Sequence, residues 1–242
     1  VDALSTDPPR TDPLTTDAVT LNCAELSTRQ VNAALAGLAD SAAARIVEPW
    51  GRHNLAVGLS NKVTIRIEGN AGYFIGGLCD GPDVTVDGFV GWSVGENLMS
   101  GSVRVRGNAS ECAGASAHGG TIVIEGDASS RAGISLKGGT VLIGGDTGHM
   151  SGFMAQAGVM LIGGDAGDAL GDSLYETVIY VGGRIASLGS DARVEELTDE
   201  DVLTVKRLVE TSGFDHIDPE NVKRVASARQ LYNFDALKNQ KY

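Results

Sequence analysis

Side chains able to carry out nucleophilic, acid–base or metal chemistry are few and far apart in this sequence. The three cysteines, Cys23, Cys79 and Cys112, show no CxxC spacing. They are too few for a disulfide framework and read as small buried or half-buried thiols in a reducing cytosol. The four histidines, His53, His118, His149 and His216, are isolated and offer no cluster of three or four ligands. No Ser, His and Asp form a nucleophilic arrangement, and no G-x-S-x-G occurs. Despite 33 glycines, the phosphate-cradling GxxxxGK[ST] and GxGxxG are both missing. One acidic pattern stands out: Asp127, Asp146 and Asp165 recur at equal spacing, each directly after a glycine. Stacked carboxylates could hold a cation. The reading adopted is structural: Asn and Asp follow glycine because their side chains satisfy backbone groups at a bend. No catalytic, cofactor-binding or metal-binding residue is assigned.

The elements that would position these residues follow from the glycines. Glycine occupies 69, 88, 107, 126, 145, 164 and 183, a period of 19 residues without an insertion. The residues four and two places before it are aliphatic in every copy, from Ile65 and Ile67 to Ile179 and Val181. Such alternation, rich in β-branched side chains, marks a strand with one buried face. A second glycine follows seven residues later, at Gly76, Gly95, Gly114, Gly133, Gly152 and Gly171, and fails at Ser190. With Gly69, Gly88, Gly107, Gly126, Gly145 and Gly164 these form the structural set of the repeat. A unit of this length without a helix cannot bury its apolar face alone, so successive units must stack. The expected fold is all-β, a right-handed single-stranded β-helix of seven coils, with an N-terminal α/β cap and a C-terminal helical extension.

The flanks set the domain organisation. Residues 1–20 are polar and rich in proline, and read as a mobile arm. Residues 21–62 read as the cap: Ser27 and Gln30 form a capping box opening a helix through Leu38, and Arg45 to Val47 resemble a strand. Residues 63–190 are the β-helix. In residues 191–242, Thr198 is expected to cap a helix to about Val209, and Pro219 to start a second over Glu220 to Ala228. Leu231, Tyr232 and Phe234 stand in an otherwise polar tail, where they could fold back on the chain or dock on a partner. The net charge of −12 lies mainly on the β-helix and disfavours nucleic acid and anionic lipid. No basic, apolar leader and no apolar stretch of membrane-spanning length are read, so a cytoplasmic protein is expected.

The rung Gly-x-x-Gly-x-x-x-Gly, as in Gly69/Gly72/Gly76 and Gly145/Gly148/Gly152, resembles the GXGXG domain at the carboxyl end of the glutamate synthase large subunit. NAGYFIGG, GWSVGENLMSG and TGHMSGF look like its successive coils, and residues 51–190 carry the likeness. The resemblance implies a non-catalytic β-helix bracing a class II glutamine amidotransferase unit against an FMN- and iron–sulfur-containing synthase unit. The amidotransferase's terminal cysteine has no counterpart, Cys23 being internal, and three scattered cysteines do not make an iron–sulfur ligand set. The implied role is therefore a free-standing subunit of a hetero-oligomer, with FMN and the iron–sulfur cluster on a partner chain. It would serve a glutamate synthase or an N-methylglutamate synthase (methylamine–glutamate N-methyltransferase). The repeat also resembles the glycine-repeat subunit of formylmethanofuran dehydrogenase and of the formyltransferase/hydrolase complex, which makes that the alternative. A self-assembling structural solenoid is the third reading.

Overall fold

The computed structural model describes residues 18–231; residues 1–17 of the expected arm lie outside them, and Val19 and Thr20 open the first strand instead of ending an arm. Its strands form one continuous sheet in the order β1-β2-β3-β4-β5-β6-β7-β8-β9-β11-β10. They are β1 (Val19–Asn22), β2 (Ala43–Val47), β3 (Thr64–Ile67), β4 (Asp80–Val86), β5 (Ser100–Val105), β6 (Thr121–Ile124), β7 (Lys137–Ile143), β8 (Ala157–Ile162), β9 (Val178–Val181), β10 (Ala192–Glu195) and β11 (Lys223–Ser227). Two helices join them, α1 (Thr28–Ala36) and α2 (Asp199–Ser212). From β1 to β9 every pairing is parallel, and from β3 onward the register advances by one coil: Ile65 pairs with Val84, then Val103, Ile122, Val141, Met160 and Ile179 in turn. The chain is a right-handed β-helix of about seven turns.

The alternating aliphatics build this column directly. Both members of each strand pair lie in one core, Ile65 and Ile67 in the first coil and Ile179 and Val181 in the last. After the first glycine bend a second inward row runs Val90, Ala109, Ala128, Thr147, Ala166 and Ile185, each bridged to the next. Small side chains dominate this row, which keeps the column narrow.

The caps combine expected and unexpected elements. Ser27 and Gln30 form the capping box of α1, whose Val31 and Leu35 are buried against the first coils. Strands β1 and β2 extend the parallel sheet beyond the seven repeats, so the first open edge is covered by rungs without the glycine pattern. At the other end, Thr198 caps α2 as its sequence implies. The second expected helix, over Glu220 to Ala228, is instead strand β11. It pairs antiparallel with β9, and β10 pairs antiparallel with β11. Val225 reaches the main core from this strand, so pairing with the open edge of β9 overrides the local helical stripe.

Candidate functional site

The residues with chemical capability do not converge. Among the described residues, no group of three His, Cys, Asp or Glu side chains is placed to hold a metal ion. All four histidines are exposed. His53 Nδ1 accepts the Tyr73 N–H at 2.9 Å, and His216 Nε2 lies 2.9 Å from the Gly144 carbonyl oxygen. Cys23 and Cys79 are buried and Cys112 is half-buried. Burial pushes all three thiols up from their ordinary range, which keeps them protonated at neutral pH.

The acidic ladder has a definite structural task. Asp127 Oδ1 accepts the Asp146 N–H at 2.9 Å, Asp146 Oδ1 accepts the Asp165 N–H at 2.6 Å, and Asp165 Oδ1 accepts the Arg184 N–H at 2.7 Å. Asn70 and Asn108 do the same for Phe89 and Asp127. Each side chain thus satisfies a backbone donor at the bend of the following coil. The Arg184 guanidinium ends the row by pairing with Asp165 Oδ2. The Arg184 backbone N–H and its guanidinium hold the Asp165 carboxyl below the usual carboxylate range.

The two glycine rows serve different ends. A Cβ on Gly145 would lie 2.1 Å from Asp127 Oδ1, and one on Gly164 would lie 2.1 Å from Asp146 Oδ1. Close approach of the previous coil's side chain, not a positive φ, requires glycine there. Gly95, in the second row, has φ +67°, and a Cβ would point at Ile122 Cδ1 at 2.7 Å. Its neighbours Ser93 and Asn97 are also left-handed, at φ 61° and 53°. Glycine is needed at the middle position because a side chain there would enter the core against Ile122.

The C-terminal extension covers one outer face of the column. Val123, Leu142, Leu161 and Tyr180 point outward from β6 to β9 and form a second core with Val205, Leu208, Phe214 and Ile217. The corresponding positions in β3 to β5 are Arg66, Thr85 and Arg104. This polar-to-apolar change along the repeat is the sequence signal that a helix packs on the later coils. Arg104 reaches over to donate to the Thr211 and Ser212 carbonyls at the end of α2 and pairs with Glu125. Asp201, in the first turn of α2, accepts from the Tyr180 hydroxyl at 2.5 Å and from Arg224 Nε at 3.0 Å. Leu231 is exposed, while Tyr232 and Phe234 lie outside the described residues.

The face around the early glycine bends stays open. The rings of His53, Tyr73 and Trp92 stack in succession, with centroids 4.3 and 5.3 Å apart. Beside them Phe89 and Trp92 flank a shallow cleft of about 730 Å³ floored by Gly88 and Gly91. Sequence reasoning passed over these aromatics, although Trp92 falls in the second coil and Trp50, the other tryptophan of the chain, just ahead of the first. Among the described residues no helix is long and apolar enough to cross a membrane. No protein-family model matches the chain, and no curated protein matches it.

Proposed function

We propose that this chain is the non-catalytic β-helix subunit of a glutamate-synthase-like complex, bracing a glutamine amidotransferase chain against an FMN- and iron–sulfur-containing synthase chain. Glutamate or N-methylglutamate is the product. The observation that carries the reading is the coil itself: a 19-residue unit with two glycine rows, repeated in register through seven strands. That unit supports a resemblance to the GXGXG domain. Two further observations favour a scaffold. The ladder side chains are engaged with the chain's own backbone, and the thiols are buried or half-buried. A stacked column with many interlocking rungs also deforms little, as a brace between two chains requires.

Purification of the native assembly tests the reading. An amidotransferase chain and a flavin-containing chain should co-purify in fixed ratio with this one. An assembly lacking both overturns it. A metal-dependent amidohydrolase-type partner without flavin would move the chain to the formyltransferase/hydrolase alternative. An assembly of this chain alone would leave the self-assembling solenoid.

A further inference from the structure

We infer that the aromatic face of the first coils is the docking surface for a basic protein partner, which seats an apolar side chain between Phe89 and Trp92. The inference rests on the heteromeric reading above and names the face that such a partner uses.

Three large rings stand in water on this face, Phe89 54% exposed, Trp92 49% and Tyr73 40%, and Trp50, 76% exposed, lines the neighbouring cleft with His53. An exposed cluster of this kind is characteristic of interfaces, where tryptophan and tyrosine anchor binding. Phe89 also breaks the structural rule of its own row. Asn70, Asn108, Asp127, Asp146 and Asp165 each accept a backbone N–H from the next coil. A phenyl ring has no oxygen to offer the Asn108 N–H, so this rung gives up the hydrogen bond in exchange for an exposed aromatic. A local rule broken without a gain in folding points to function.

Tyr73 and Trp92 likewise occupy a position that the later coils fill with Glu111, Ser130, His149 and Asp168. The cleft floor is open because its glycines cannot be anything larger: a Cβ on Gly91 would lie 2.4 Å from the Tyr73 ring.

Charge selects the occupant. The row carrying Trp92 continues as Glu111, and the row carrying Phe89 continues past Asn108 as Asp127. A partner lying along these rows meets carboxylates and needs cations opposite them. A second copy of this chain would present the same carboxylates on a molecule of net charge −12 and be repelled.

The test uses the full chain in its native assembly and as the isolated protein, with hydroxyl-radical footprinting of the aromatic residues and cross-linking from position 73. Oxidation of Phe89, Trp50 and Trp92 should fall several-fold in the assembly. The cross-linked chain should present basic residues at the contact. A Phe89→Ser/Trp92→Ser variant with unchanged thermal melting should release that chain, whereas Leu203→Ser on exposed α2 surface should not. Such a contact made by a chain that is neither amidotransferase nor flavoprotein supports the docking face while the proposed function fails. Aromatics equally reactive in the assembly, a contact surface without cations, or protection of the isolated chain that grows with its concentration would each overturn the inference.

Discussion

Asp146 Oδ1 accepts the backbone N–H of Asp165 at 2.6 Å and stands 2.1 Å from where a Cβ on Gly164 would be. One oxygen atom therefore dictates glycine at one residue of the next coil and receives the N–H of the residue after it. Asn108 relates in the same way to Gly126 and Asp127, with a Cβ on Gly126 only 2.0 Å from its Oδ1. The period is held by side chain on backbone as well as by the strand ladder. The Gly-Asn and Gly-Asp pairs of the repeat are one device, not two.

This coupling is measurable by urea unfolding. Gly164→Ala should destabilise by about 1–3 kcal/mol, because the added carbon meets Asp146 Oδ1 and, at 2.8 Å, the Gly145 carbonyl carbon. Asp146→Ala should cost about 1 kcal/mol through the lost acceptor. Asp146→Asn should stay within about 0.5 kcal/mol, since Asn70 and Asn108 already perform the task. The Gly164→Ala/Asp146→Ala double variant should fall short of the summed cost by at least about 0.5 kcal/mol. A strictly additive pair would mean the oxygen does not select the glycine.

The second glycine row answers to a different test. Gly95→Ala combines a left-handed backbone with a contact on Ile122 Cδ1, and should cost more than about 1 kcal/mol. Adding Ile122→Val removes the contacting atom and should recover part of that cost, leaving the backbone component. By contrast Ser135→Gly, at φ 52°, relieves a non-glycine residue of the left-handed region and should be neutral or stabilising by up to about 1 kcal/mol. Destabilisation at Ser135 would show that its side chain matters to the corner.

How much of this was legible depended on whether a feature repeated. The inward rows were readable because every coil restates them, as Val103 and Ile143 do within their strands. The corner conformation was not, because Ser93 and Asn97 take left-handed backbone without glycine to announce it. Strand β11 escaped because Val222, Val225 and Ala226 fit a helical stripe, and only the vacant edge of β9 makes them a strand. The covering by α2 was written in the change from Arg104 to Val123, Leu142 and Leu161, one residue type per coil. A reading that seeks what the coils share misses what changes between them, and the same blindness hid Phe89 and Trp92.

Two cores imply two ways to fail. Val103 and Ile143 are fully buried in the column, and Val103→Asp or Ile143→Asp should abolish folding by placing an unpaired charge in the stack. Leu142→Asp puts the same charge under α2, and should undock the helix while the column stays folded. Limited proteolysis should then cut between residues 199 and 212, with the β-sheet circular-dichroism signal retained. Arg104→Ala should weaken the same docking, because hydrogen bonds from a charged donor to two helix-end carbonyls are worth about 1.5–3 kcal/mol. Simultaneous loss of both signals in Leu142→Asp would make column and extension one cooperative unit.

Acid should loosen the extension before the column, through Asp201. Burial opposes its charge, yet hydrogen bonds from Thr198, the Tyr180 hydroxyl and Arg224 hold its carboxyl down at about 2. An unfolded aspartate titrates near about 3.9, so the folded state resists protonation more than the unfolded one. The stabilisation from this group is therefore complete above about pH 4 and is lost as pH falls through about 2. Burial and the neighbouring carboxylate also push the Tyr180 phenol up, which keeps it a donor across the whole range. Asp201→Asn should flatten this acid dependence, and Tyr180→Phe should reduce it by removing one of the donors that lower the carboxyl. Helix protection, followed by hydrogen exchange at residues 199–212 between about pH 5 and pH 2, is the readout. An acid transition unchanged in Asp201→Asn would assign the loosening to other carboxylates.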